Sequence, residues 1–274
     1  MTMTSDAVRR AAAQLAAWRA ESTVGSELPE ELRPQDASDA YTIQDAFMKA
    51  WPDRRVGWKI GATAVPLQQK LGVTEPFAGP FYAADTVGTP ARHPARLFPH
   101  LCIESEFAFR FSAALPPRPA PYARADILAA IGSVLPAIEL VGPRFDTLLF
   151  GRAPTAIADC ALNAGFVLGD DSSAWRQLDL VAQPVVLRVD GRIVAEGTGA
   201  NVLGDPVVVL EWAVNHLSKR GHGIAAGEII STGTTTGLVH IEPNQTAVAD
   251  FGPLGEVSVL FEGEPHPAHV PPPR

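Results

Sequence analysis

From Ala7 to Arg19 the chain is alanine-rich, with Val8, Leu15 and Trp18 at helical spacing. A second helical run carries Ile43, Phe47 and Met48 toward Trp51, with Ser38 placed as its N-cap. Residues 1–55 are therefore expected to form a helical N-terminal segment. After Pro52 the apolar runs shorten and are punctuated by Gly and Pro, 23 and 25 of them in the chain, a texture that favours strands and turns. Strands are expected at 56–60, 102–111, 136–141, 165–168, 184–189, 192–195, 228–232, 247–251 and 256–261. Asp190-Gly191, between "VVLRV" and "RIVAEG", marks a tight hairpin, since both residues tolerate positive φ. Two helices are predicted inside this mainly β body, at Arg124 to Val134 and at Pro206 to Arg220. The second has its proline early and Gly221 just after its last turn. Residues 264–274 form a Pro-rich tail, expected to be extended or disordered.

Composition narrows what such a body binds. At 274 residues, 46% hydrophobic and 19% charged, the chain fits one large domain or one domain with a small appendage. A net charge of -8 offers no basic footprint to nucleic acid or to an anionic membrane, so neither is expected as a partner. The apolar runs stay short of the roughly 18–20 residues that span a bilayer. Cys102 and Cys160 are the only cysteines, without CxxC spacing, and no secretory leader is evident, so reduced thiols in a cytoplasmic protein are expected. The expected partner is a small molecule, with room for a metal between it and the acidic protein.

The candidate chemistry lies in "CIESEFAFRF", residues 102–111. Strand alternation puts Cys102, Glu104, Glu106, Ala108 and Arg110 on one face, and Ile103, Ser105, Phe107, Phe109 and Phe111 on the other. Two carboxylates so close raise each other's pKa unless a cation or hydrogen-bond donors compensate. A solvated edge or a salt bridge to Arg110 would satisfy the pair alone. Glu139 shifts the balance, because in "VLPAIELVG" it sits in an apolar strand where an unpaired carboxylate is costly. Three carboxylates without a partnering His or Cys favour a hard cation, Mg²⁺ or Mn²⁺. Open positions on such a metal would take a 2-oxo acid through its carboxylate and keto oxygens. His93, His100, His216, His222 and His240 show no ligand spacing and are expected at the surface or in turns, and no G-x-S-x-G elbow is present. Trp212, at mid-helix, is expected in the core.

In order along the chain, "GWKIGAT", "LGVTEPFAGPFYA", "CIESEFAF", "LPAIELV", "IADCALNAGFVLG" and the block from "GTGANVLGDP" to "ISTGTTTG" resemble the 2-keto-4-pentenoate hydratase family of the fumarylacetoacetate hydrolase superfamily. The match runs from about Gly57 to about Phe261. The resemblance implies an α+β fold, a mixed, mainly β roll of the superfamily's C-terminal type over residues 56–263, and a homo-oligomer. It implies a metal held by Glu104, Glu106 and Glu139, and an active-site lysine at Lys59 that steadies substrate charge or, with a pKa depressed by burial, moves a proton. "STGTTTG", Ser231 to Gly237, is expected to be a polar turn that lines the site, with Thr234 contacting substrate. Asp159 either supports catalysis and positions substrate or simply caps a turn. Where many hydratases read Asp-Asn-Ala-Ser-Ser-Gly, this chain reads Asp159-Cys160-Ala161-Leu162-Asn163-Ala164, replacing both serines.

The activity so implied is a hydro-lyase that adds water to a 2-hydroxy-2,4-dienoate or its 2-oxo tautomer, as arises in aromatic or steroid ring degradation. Decarboxylation of a 2-oxo-3-enedioate, which needs a further cation such as Arg144 for the distal carboxylate, is the alternative. Hydrolysis of an acylpyruvate ranks third, and a noncatalytic binding or assembly role is the reading outside enzymes.

Overall fold

The structure is a computed structural model that describes residues 3–148 and 152–269. Its helices are α1 (Ser5–Glu21), α2 (Ala37–Ala50), α3 (Val65–Leu71), α4 (Arg124–Ala130), α5 (Ala153–Ala158) and α6 (Pro206–Lys219). The strands are β1 (Arg55–Gly61), β2 (Phe77–Tyr82), β3 (Thr86–Gly88), β4 (Ala91–Pro94), β5 (Cys102–Phe111), β6 (Ile131–Val141), β7 (Asn163–Leu168), β8 (Pro184–Val189), β9 (Arg192–Thr198), β10 (Ile229–Thr234), β11 (Val239–His240), β12 (Thr246–Asp250) and β13 (Glu256–Glu262). The fold is α+β, with mixed sheets.

The larger sheet runs in the order β2-β1-β10-β5-β6-β7-β3, with β11 continuing along β5 beyond the end of β10. The smaller runs β4-β13-β12-β8-β9. Strand β5 is central, and its alternation decides the layers. Ile103, Phe107, Phe109 and Phe111 enter the main core, which also takes in residues of the smaller sheet and of α6. Phe107 meets Phe251 edge-on at 5.3 Å there. The opposite face carries Glu104, Glu106 and Ala108, and Ala108 packs with Phe81, Leu135, Ala137, Phe166 and Ile229. Helices α1, α2 and α5 share a further apolar cluster with Phe77 and Tyr82 of β2. Pro80 lies in β2 at the sheet edge, where the ladder can spare a donor.

Several expectations change. The helix predicted over 124–134 ends at Ala130, because Ile131–Val141 is the strand that pairs with nearly the whole of β5. Long-range pairing there overrides local helical spacing. The N-cap of α2 is Asp36, whose carboxylate accepts the Asp39 amide at 2.9 Å, and Ser38 lies within the first turn. Trp212 is half-buried, stacking on His216 at 4.4 Å and donating to Glu75 at 3.0 Å. His100 is buried, its Nε2 2.6 Å from the Phe145 carbonyl oxygen. The described start of the tail is docked, with His266 Nε2 2.8 Å from the Ser22 carbonyl oxygen, and 270–274 lie outside the described residues. Among the described residues no helix is long and apolar enough to cross a membrane.

Candidate metal centre

Register brings the three glutamates together. Glu104 of β5 lies directly across from Glu139 of β6, and Glu106 across from Thr234 of β10. Like charges opposite one another destabilise a strand pair. Yet one carboxylate oxygen from each of the three lies within 4.8 Å of the others. Glu106 and Glu139 are fully buried, and Glu104 is half-buried. Burial pushes the Glu104 carboxyl up to about 7, Lys59 opposing the rise and Glu139 adding to it. Burial, then Glu139 and Glu104, holds Glu106 well above the usual carboxylate range.

The donors supplied by the protein do not saturate this cluster. Glu106 Oε2 accepts from the Ser231 hydroxyl and, at 3.1 Å, from the Gly233 amide, while its Oε1 is buried with no hydrogen-bond partner among the described residues. Glu139 Oε1 accepts from Asn163 Nδ2 at 2.9 Å, and its Oε2 lies 3.0 Å from Lys59 Nζ. Lys59 stands on β1 beside Ser231 and is 4% exposed. Burial lowers its pKa, but Glu139, Glu104 and Glu106 together outweigh that and the net shift is upward. This direction is opposite to the depressed pKa that was the condition for a proton-moving role of Lys59. One lysine against three carboxylates leaves an excess of oxygen donors. A buried orphan oxygen and an all-carboxylate donor set fit a hard divalent cation.

Beside the glutamates lies a cavity of about 330 Å³, reached by Lys59, Glu104, Gly233 and Thr234. The segment beginning at Ser231 is not a turn throughout, for β10 continues to Thr234. A bulge sets Ser231–Thr234 against Glu106–Ala108, and Gly233 takes φ +92° within it. A Cβ at Gly233 would lie 2.0 Å from Thr63 Oγ1, so glycine lets the backbone amide reach Glu106. Thr234 Oγ1 donates to the Gly237 carbonyl at 3.1 Å.

Asp159 is not in that cavity wall. Its carboxylate accepts from the Arg144 backbone amide at 2.9 Å and from Arg144 Nε at 2.7 Å, both residues being buried. Arg144 also donates to the Asn163 carbonyl at 2.8 Å. Asp159 and Arg144 therefore clamp the two ends of the 159–163 segment, and Arg144 is committed within the protein. Sequence reasoning picked out Thr234 and missed Ser231 in the same motif. It met Asn163 only as a departure from the hydratase pattern, because a link to Glu139 across 24 positions has no local signal.

Fold and site together define an α+β protein built around a buried cluster of three carboxylates whose donor set fits a divalent metal. No family model matches the chain. It is 30% identical over 264 residues to 2-keto-4-pentenoate hydratase 2 of Dechloromonas aromatica (strain RCB), covering 95% of this chain and 100% of that one. It is 31% identical over 231 residues to a 4-oxalocrotonate decarboxylase of Pseudomonas putida, covering 82% and 85%. The 4-oxalocrotonate decarboxylase from Pseudomonas putida G7, solved with magnesium and adipate, superposes with a TM-score of 0.87 at 27% identity, over 95% of this chain and 99% of that one. The chain belongs to the 2-keto-4-pentenoate hydratase family.

Proposed function

We propose that the chain is a Mg²⁺- or Mn²⁺-dependent hydro-lyase that hydrates a 2-hydroxy-2,4-dienoate, or its 2-oxo tautomer, to a 4-hydroxy-2-oxo acid. The observation that carries this reading is the buried Glu104–Glu106–Glu139 cluster, with its unpartnered oxygen and Lys59, at the edge of a cavity. The three glutamates would hold the metal. When bound, it supplies a Lewis acid that polarises the substrate's keto oxygen and stabilises enolate charge. Lys59 Nζ, protonated beside Glu139, offers a fixed positive charge to the substrate carboxylate or enolate oxygen and holds a transferable proton there. Ser231, Gly233 and Asn163 orient the glutamates, and Thr234 presents a hydroxyl at the cavity wall for substrate. Asp159 acts through the Arg144 clamp on the shape of the site. The reading extends to the superfamily's C-terminal-type roll, a cytoplasmic location, homo-oligomeric assembly and a place in aromatic or steroid ring catabolism.

Decarboxylation of a 2-oxo-3-enedioate is the second reading, favoured by the similarity to 4-oxalocrotonate decarboxylases. One experiment separates the two. Protein, Mg²⁺ and a panel of dienols, oxo diacids and acylpyruvates are incubated, and the products are identified by mass. Gain of water is expected; loss of CO₂ would transfer the assignment to the decarboxylase. Calorimetric titration should show divalent-metal binding that Glu106→Gln weakens at least about tenfold, with loss of turnover. Wild-type turnover in Glu106→Gln would refute its role as a ligand.

A further inference from the structure

Beyond Lys59, Glu104, Thr234, Thr63 and Lys70 the cavity wall is apolar. Leu67 and Leu71 come from α3, Phe77 from β2, Ala161 and Leu162 from the turn after α5, and Leu238 from the segment after β10. The volume of about 330 Å³ falls in the ~300–1,000 Å³ range of pockets that enclose whole small molecules. It exceeds what the smallest dienoate of this class fills.

Two glycines allow this wall to form. A Cβ at Gly61 would lie 2.6 Å from the Phe77 ring, and one at Gly79 would lie 2.2 Å from the Cys160 carbonyl oxygen. The ring and the 160–162 turn thus seat directly on the sheet next to Lys59, which pairs with Gly79. Cys160, Ala161 and Leu162 have φ of 50°, 55° and 67°, three successive left-handed residues that are not glycine. Such strain persists only where the surroundings over-determine it. Here Leu162 donates its amide to the Asp159 carbonyl at 2.9 Å, its own carbonyl accepts the Gly142 amide at 2.9 Å, and Arg144 grips Asp159 and the Asn163 carbonyl. The outcome of the strained turn is apolar side chains at positions 161 and 162 in the wall, the second replacing a serine of the hydratase pattern.

The cations nearby are engaged elsewhere. Lys59 faces Glu139, Arg144 faces Asp159, and Arg19 pairs with Asp85 at 2.6 Å. Lys70, exposed on α3, also lines the cavity. A carboxylate at the far end of a substrate would lie mainly among leucines and Phe77, with Lys70 at the exposed side as the one cation in reach besides Lys59 among the described lining residues, a costly place for a charge that Lys70 does not meet. We propose that Leu67, Leu71, Phe77, Ala161, Leu162 and Leu238 form a subsite for an uncharged alkyl or aryl substituent. The substrate is then a tail-bearing 2-hydroxydienoate, neither the smallest dienoate nor a dicarboxylate. This rests on the metal-dependent reading above.

The test is binding of saturated 2-oxo acids to the full-length protein with Mg²⁺, by calorimetry: pyruvate, 2-oxopentanoate, 2-oxohexanoate, 2-oxooctanoate and 2-oxoadipate. Affinity should rise about fourfold per methylene until the wall is filled. 2-Oxoadipate should bind at least about tenfold more weakly than 2-oxohexanoate. Leu162→Ser should cost 2-oxooctanoate about tenfold and leave pyruvate within about twofold. Leu67→Ala, on the half-buried face of α3, gives the same comparison should the strained turn not tolerate substitution. If no 2-oxo acid binds, pyruvate included, the metal reading and the subsite fall together. If pyruvate binds but affinity ignores chain length, the subsite alone is refuted. It is also refuted if 2-oxoadipate binds more tightly than 2-oxohexanoate and loses that advantage in Lys70→Met.

Discussion

Asn163→Ala isolates the orientation of one proposed ligand without touching its charge. Asn163 is fully buried, and its Nδ2 donates to Glu139 Oε1 at 2.9 Å, leaving Oε2 on the Lys59 side. A hydrogen bond to a charged group contributes about 1.5–3 kcal/mol. At about 1.4 kcal/mol per tenfold, that corresponds to roughly 10–150-fold in a binding constant. Loss of an outer partner of a metal ligand costs about 10–100-fold in affinity, a range that overlaps. Asn163→Ala should therefore weaken Mn²⁺ binding by about 10–100-fold, measured by calorimetry on metal-stripped protein. The metal-free fold should suffer less, because Asn163 Oδ1 has no hydrogen-bond partner among the described residues and its removal relieves a buried acceptor. A fall in melting temperature of a few degrees, about 2–4 °C per kcal/mol at this size, is the expected control. If Asn163→Ala binds Mn²⁺ within about twofold of wild type while Glu139→Gln loses binding, the amide does not position the ligand.

The Arg144–Asp159 clamp predicts a non-additive cycle. Arg144→Met should cost about 3–5 kcal/mol by leaving Asp159 buried and unpaired. Arg144→Met/Asp159→Leu should recover much of that in urea unfolding, and simple additivity would count against the clamp. His216 predicts an acid-side loss of stability. Burial, then Arg220, lowers its pKa from 6.5 to about 4. Between those values the unfolded chain binds more protons, so this contribution is complete above about 6.5 and is lost as pH falls toward 4. Its size is at most about 3 kcal/mol, reduced by partial exposure. His216→Gln should flatten the stability profile over that window, and an unchanged slope would remove His216 as the cause.

The carboxylate-bearing face of β5 was legible in the sequence. Alternation is a property of the backbone, so Glu104 and Glu106 had to share a side wherever the strand went. The cost of a carboxylate in an apolar run singled out Glu139, and ordered motifs brought in Lys59. The helix predicted through Val134 shows the limit of such reasoning. Apolar spacing in 124–134 suits a helix and a strand was legible only from 136, so it is pairing with β5 that takes 131–134 into the strand Ile131–Val141.

Sequence by itself thus determined which residues carry charge at a buried cost and on which side of a strand they lie, because those follow from local geometry and side-chain chemistry. Tertiary structure decided what surrounds them. It set Glu139 opposite Glu104, brought Asn163 to Glu139 and Ser231 to Glu106, and withdrew Asp159 and Arg144 into a clamp. It also seated a left-handed turn on Gly79 to line the cavity with Leu162. The physical reason is that register, long-range hydrogen bonds and close backbone approach arise between segments distant in the chain, and no local periodicity encodes which segments will meet.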